Sequence, residues 1–175
     1  MKLKGILIAL FLCSLIVGCS KPIKVVDKLV ERDDIWYQPF SDIPYTGRLE
    51  NWYESGQLMS KENFINGRQE ALVESWHKNG QPDKKINYID GQKDGLHESW
   101  WDNGQLESKI NFIKGKRAGL GEWWTKNGKL KKRGIYLNGK EEGMFYYWWE
   151  FEQKKALVCF KAGRKVDISY CKENQ

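Results

Sequence analysis

The chain has 175 residues, a formal net charge of +6 and a mean hydropathy of −0.67. Charged residues make up 30%, but nine tryptophans and an aromatic share of 14% exclude a disordered chain, which lacks the apolar area to offset its conformational entropy. The length fits one domain or one short array.

Lys2 and Lys4 open the chain, followed by an almost unbroken apolar run from Ile6 to Val17 and the small residues Gly18, Cys19 and Ser20. A basic start, a short apolar stretch and a small-residue end make a secretory signal, and the run is short for a permanent span. Residues 1–18 are therefore expected to be removed. Ile16-Val17-Gly18-Cys19 resembles a bacterial lipobox, in which cleavage falls between Gly18 and Cys19 and the new N-terminal Cys19 is lipidated. That resemblance implies a membrane anchor, each buried CH₂ adding about 0.8 kcal/mol, with residues 19–24 as its tether. Ser20 in place of Asp implies the outer membrane in a bacterium with two. Loss of Lys2 and Lys4 lowers the charge to +4, spread along the chain. Nucleic-acid binding needs a concentrated basic patch, so no nucleic-acid partner is expected.

Residues 25–46 read as an N-terminal cap, with an imperfect hairpin from Val25 to Gln38 around Asp33-Asp34. Residues 47–164 then repeat with a period of 24: Trp52, Trp76, Trp100, Trp124 and Trp148 form one column, and Phe64, Tyr88, Phe112, Tyr136 and Phe160 another. Gly47, Gly95, Gly119 and Gly143 share a column with Ala71. Each repeat carries two turn signals. The first is Ser55-Gly56, Asn79-Gly80, Asn103-Gly104 or Asn127-Gly128, the pair preferred by a two-residue type I′ hairpin turn. The second is Asn66-Gly67, Asp90-Gly91, Lys114-Gly115 or Asn138-Gly139, leading into the next repeat. The spacing predicts an all-β, antiparallel hairpin meander of five repeats, an elongated and curled single sheet. Ten strands at about 4.8 Å give a body roughly 48 Å long.

A two-residue first turn sets Glu50 opposite Lys61, Glu74 opposite Lys85, Glu98 opposite Lys109 and Glu122 opposite Arg133. Such pairs contribute about 0.2–1 kcal/mol each. It also sets the Phe/Tyr column over Gly47, Ala71, Gly95 and Gly119, an arrangement in which an aromatic covers a strand glycine. Alternation then puts the Trp column and the charge pairs on one face. Leu58, Leu106 and Leu130 are expected on the other, with Ile86, Ile110 and the Phe/Tyr column. The fifth copy departs from the pattern, with Phe151-Glu152 in place of Asn-Gly. Residues 165–175 read as a closing edge strand and tail, as terminal units of arrays must meet water.

Gly-x-x-x-x-Trp, Asn-Gly-Gln/Lys-Leu, an aromatic and Asn-Gly-Lys together resemble the bacterial MORN-type repeat (membrane occupation and recognition nexus) in its second variant. Trp36-Tyr37 to Pro44-Tyr45-Thr46-Gly47 resembles the start of the YwqK-type antitoxin family, which is built from such repeats. The second resemblance implies an antitoxin or immunity protein whose partner is a toxin.

The repeat columns supply Glu, Lys and Trp but no nucleophile–base–orienter set, so no enzymatic activity, cofactor or small-molecule substrate is expected. Glu50, Glu74, Glu98 and Glu122 read as ion pairs, although neighbouring copies about 9–10 Å apart match a carboxylate pair on spacing alone. His77 and His97 occupy different repeat positions and read as ordinary strand residues, and no His/Cys cluster has metal-ligand spacing. Cys159 and Cys171 form a candidate disulfide in an exported chain, although the hairpin register about Ala162-Gly163 does not set them opposite. The Trp column reads either as packing or as a binding stripe. Trp101, Trp123 and Trp149 add a cluster expected on the opposite face. The reading that follows is a non-enzymatic, lipid-anchored, protein-binding module of the cell envelope. The alternatives are the toxin-neutralising role and a cell-wall carbohydrate binder using the Trp stripe.

Overall fold

The computed structural model describes residues 25–148 and 155–173. The signal, Gly18, Cys19, the tether, Trp149 and Phe151-Glu152 lie outside these residues.

The short strands β1 (Val25–Val26), β2 (Val30–Arg32) and β3 (Ile35–Tyr37) come first. The repeats follow as β4 (Gly47–Trp52), β5 (Leu58–Ile65), β6 (Arg68–Gln69), β7 (Ala71–Trp76), β8 (Pro82–Ile89) and β9 (Gln92–Trp100). They continue as β10 (Leu106–Ile113), β11 (Lys116–Trp124), β12 (Leu130–Leu137), β13 (Lys140–Trp148) and β14 (Lys155–Lys161). β15 (Arg164–Val166) and the helix α1 (Ile168–Glu173) close the chain. One open sheet runs β1-β4-β5-β7 and then in chain order to β15, with β6 also on β5, while β2 and β3 form a separate pair. From β4 onward neighbouring strands are antiparallel, giving the expected all-β meander.

All the predicted residues face each other: Glu50–Lys61, Glu74–Lys85, Glu98–Lys109 and Glu122–Arg133, with Gly47–Phe64, Ala71–Tyr88, Gly95–Phe112 and Gly119–Tyr136. Of the four charge pairs, Glu74–Lys85 and Glu98–Lys109 are within ion-pair distance, while Glu50–Lys61 and Glu122–Arg133 are not. The turn that was to set them is different. In the first turns only the glycine has positive φ, for instance 81° at Gly56 and 86° at Gly80. The Gly56 N–H donates to the Tyr53 carbonyl at 2.9 Å, and the Tyr53 N–H donates to the Gln57 carbonyl at 2.8 Å. This is a type I turn with a left-handed glycine, a three-residue loop. A register shift beside Trp52, and likewise beside Trp76, Trp100 and Trp124, takes back the extra residue. The two offsets cancel, so the register beyond is as predicted.

The type I′ turns are instead the second set. Both central residues have positive φ at Asn66-Gly67, Asp90-Gly91, Lys114-Gly115, Asn138-Gly139 and Ala162-Gly163, and also at Asp33-Asp34. Between Ile110–Gly121 and Asn111–Ala118 the pairing skips Gly119 and Leu120, and Gly119 has φ 71°. Left-handed backbone at this bulge accounts for the Gly column. Ala71 holds the same conformation, φ 63°.

With a single layer, neither face is fully covered. Burial concentrates on the face of the Phe/Tyr column. Near the start Tyr45, Leu49 and Phe64 form a core joined by Val26, Leu29 and Trp36. Toward the end Ile110, Phe112, Tyr136 and Phe145 form a second, joined by Trp123, Tyr147 and Phe160. The cap is tied in through the backbone: the Trp36 N–H donates to Gly67 at 2.9 Å, and the Tyr45 N–H donates to Trp36 at 2.8 Å. β1 adds to the edge of β4 in parallel.

The chain end differs from the expected edge strand. Alternation holds only through Val166. The Asp167 carboxylate then accepts the Ser169 N–H at 2.9 Å and starts α1, as an N-cap does. The helix brings Cys171 back over β14, where it is disulfide-bonded to Cys159 with Cα atoms 5.9 Å apart. A hairpin register does not place these two together because the chain has left the sheet before Cys171.

Candidate functional site

The Trp column and the charge pairs occupy one face. The register shifts set Leu58 opposite Trp52, Pro82 opposite Trp76, Leu106 opposite Trp100 and Leu130 opposite Trp124. The leucines therefore lie on the Trp face, not the opposite face as expected, because the bulge inverts their alternation. Trp52 is 53% exposed, and Trp76, Trp100, Trp124 and Trp148 are partly buried. Tyr146 stacks on Trp148 with ring centroids 6.1 Å apart. Beside the indoles, Glu74 accepts from Lys61 at 2.7 Å and pairs with Lys85 at 3.7 Å, and Glu98 pairs with Lys109 at 3.4 Å. Glu50 pairs with Arg48 at 3.7 Å instead of with the Lys61 it faces. The result is a half-covered aromatic stripe bordered by ion pairs.

A ladder of side chains locks successive first turns together. The Tyr53 hydroxyl donates to the Trp76 carbonyl at 2.8 Å, His77 Nε2 donates to Trp100 at 2.7 Å, and Trp101 Nε1 donates to Trp124 at 3.2 Å. Trp101 thus has a structural bond to the next repeat. The other turn edge has its own ladder: Thr46, Glu70, Asp94 and Glu142 each accept a backbone N–H, from Asn66, Asp90, Lys114 and Ala162 respectively, at 2.7–3.0 Å.

Trp123 lies on the opposite face from the Trp column, where it packs against the second core. There the Lys132 ammonium lies 5.0 Å from the Trp123 ring centroid, 5.1 Å from Phe145, 5.5 Å from Tyr147 and 5.9 Å from Tyr136. Its Nζ donates to Glu141 Oε1 at 3.0 Å and to the Tyr136 hydroxyl at 3.3 Å. Burial pulls the Lys132 pKa down, but the Glu141 bond and the neighbouring tyrosines outweigh it and hold the pKa above the ordinary lysine value. This aromatic cage is filled by the protein's own lysine. Sequence reasoning missed it, although Lys132 shares a repeat column with Ser60, Lys84 and Ser108 on the Phe/Tyr face.

His97 is on this face too, its ring 5.6 Å from Phe112 and its Nδ1 buried without a hydrogen-bond partner. Burial first, then Lys93, Lys84 and Arg117, push its pKa down to about 4, so it is neutral at pH 7. Among the described residues no group of three or more His, Cys, Asp and Glu is placed to hold a metal ion.

A family model for the MORN repeat variant matches residues 45–66, 69–90, 93–114 and 117–138, half of the chain. The chain belongs to the MORN repeat family. Each matched MORN unit runs from the start of one hairpin to the first, left-handed residue of the type I′ turn that ends it, namely Asn66, Asp90, Lys114 or Asn138. The fifth hairpin, β13–β14, lies beyond the matched residues but keeps the MORN register, with Gly143 opposite Phe160. No curated protein matches the chain. The repeats form a scaffold in which turn type and register recur from unit to unit, and the side chains on the two faces distinguish one unit from another.

Proposed function

We propose that the protein is a non-enzymatic scaffold of the cell envelope, lipid-anchored through Cys19 in the outer membrane, whose MORN sheet binds another protein. The observation that carries this reading is the single, open layer: the sheet leaves a stripe of indoles half-covered along its length, and aromatics are enriched at protein interfaces. The lipobox-like Gly18-Cys19 junction supports the anchor, and Ser20 in place of Asp supports the outer membrane. The test has two parts. Metabolic labelling with an alkyne fatty acid should mark the wild type and be lost in Cys19→Ala. A photo-crosslinker placed at Lys85 or Arg117 in intact cells should capture a discrete protein. An unlabelled wild type removes the anchor, and crosslinking that yields no adduct from either face removes the scaffold.

A second reading is an immunity role, in which the partner is a toxin. It is favoured by the segment Trp36 to Gly47, whose resemblance to the YwqK-type start corresponds to a built part of the fold: Trp36 lies 5.9 Å and Tyr45 6.0 Å from the Phe64 ring. Growth rescue of cells exposed to a toxin encoded nearby would support it, and lack of rescue would remove it.

A further inference from the structure

The repeat allows one site to be compared with another in the same molecule. Tyr136 faces Glu141 across β12–β13, and Tyr88 faces Lys93 across β8–β9 in the same columns. Lys132 and Lys84 also share a column, 48 residues apart. In the C-terminal copy the lysine meets a carboxylate, Lys132 to Glu141 at 3.0 Å. In the middle copy Lys93 stands where Glu141 would, so two ammonium groups share the place of an ion pair. One repeat further, Arg117 fills that column again, facing Phe112. Among the described residues no carboxylate lies within ion-pair distance of Lys93 or Arg117, and Lys84 has only its neighbour Asp83, at 3.8 Å.

The surroundings suit an acidic ligand. Lys93 sits 5.4 Å over the Phe112 ring and Arg117 5.3 Å over Tyr136, so both charges are held in place against apolar surface. His97 lies among these cations, neutral, with its buried Nδ1 unpartnered. Like charges gathered on one face oppose folding unless something opposite in sign covers them. Lys93 and Arg117 sit two strands apart, roughly 10 Å, which matches acidic side chains three residues apart on a polyproline II segment, where every third residue returns to the same side after about 9 Å.

We propose that Lys84, Lys93 and Arg117 form a docking site for an acidic segment of a partner protein, whose carboxylates take the place that Glu141 fills beside Lys132. The inference rests on the scaffold reading above and adds to it a face and a partner chemistry. It places the acidic contact on the Phe/Tyr face, not on the Trp stripe.

The probe is a fluorescent deca-glutamate peptide titrated against the full chain by anisotropy. Wild type should bind it, more weakly as salt rises. Lys93→Glu and Arg117→Glu should each weaken binding at least tenfold. Lys109→Glu, the same charge change on the Trp face, should leave it within twofold. Equal losses in all three variants, or no binding by wild type, overturn the site. Inorganic phosphate competing as well as free glutamate peptide, or phosphatidylglycerol vesicles bound with the same dependence on Lys93, would assign the cations to phosphate or membrane and overturn it too. If crosslinking in cells captures the same partner with Lys93→Glu as with wild type, the scaffold stands and this site falls. If wild type captures nothing, the scaffold itself falls.

Discussion

The two ends of one face, built on the same lattice, have opposite characters. Around Phe145 the C-terminal repeats are self-satisfied: Phe145 is 0% exposed, its ring meets Tyr136 and Phe160 edge-on at 5.4 and 5.2 Å, and the one lysine among the rings has its carboxylate. Around Phe112 and His97 the same columns carry Lys93 and Arg117, with no carboxylate among the described residues at ion-pair distance. Backbone, register and turn type are shared by the two regions, so a few side chains decide whether the cations of a unit are paired within the fold or left without a carboxylate. A repeat fold lets these roles separate because each unit depends mainly on its immediate neighbours.

The largest test is of packing. Phe145 fills the space above Gly134, where an added Cβ would lie 2.3 Å from the ring. Phe145→Ala should therefore cost about 3–5 kcal/mol of unfolding free energy in urea titration. Phe112→Ala should cost clearly less, because its neighbours include the half-solvated Lys93 and His97. Equal costs would mean that the two regions are equally packed.

The next test separates the lysines. Glu141→Gln leaves Lys132 among rings without its carboxylate and should cost about 1.5 kcal/mol at neutral pH, the scale of a hydrogen bond to a charged group. The pH dependence has a definite sign. The folded-state pKa of Lys132 is raised, so its contribution is fully present below the ordinary lysine value and is lost as pH rises through the raised one. Melting curves of wild type should show that alkaline loss, and those of Glu141→Gln should not.

In the middle region the matching change is Lys93→Glu, which copies the C-terminal pair. Its effect on stability should be favourable and below about 1 kcal/mol, as for partly exposed ion pairs. The clearer reading is at His97. Its folded pKa, about 4, lies below the unfolded 6.5, so the unfolded chain binds a proton that the folded chain refuses between those values. The associated stability is complete above about pH 6.5 and is lost as pH falls toward 4. Lys93→Glu should raise the His97 pKa, seen by NMR titration of the imidazole, and flatten the acid limb. An unmoved pKa would show that Lys93 has no part in setting it.

The period of 24, the hairpins and the cross-strand pairs were legible because turn residues and columns recur in phase. The faces were legible only as far as alternation runs unbroken. Leu58, Leu106 and Leu130 were misplaced because a bulge beside each Trp adds one residue, and Asn-Gly fits both a type I′ turn and the longer loop actually used. The helix α1 was hidden because Val166, Ile168 and Tyr170 alternate as a strand would, while Asp167 acts as a cap only once the chain bends. The basic site depends on which columns meet across two strand pairs. It can be read from the sequence only after the second register is known, because Lys93 lies opposite Tyr88 through the second turn and not the first.

The smallest expected effect asks whether backbone also distinguishes the two regions. Lys114 and Ala162 occupy the column of Asn66, Asp90 and Asn138, and all five hold φ near 50°. An ordinary L residue is strained there, and Asn or Asp is strained less because its short polar side chain bonds locally. Lys114→Asn, at the middle region, and Ala162→Asn, at the C-terminal end, should each raise stability by about 0.5 kcal/mol in the same denaturant assay. The two gains should be equal, since both turns join their strands through the same two-residue loop, Ile113 to Lys116 and Lys161 to Arg164. A gain at one site and not the other would show that the turns are held differently in the two regions, and the contrast between them would then no longer rest on side chains alone.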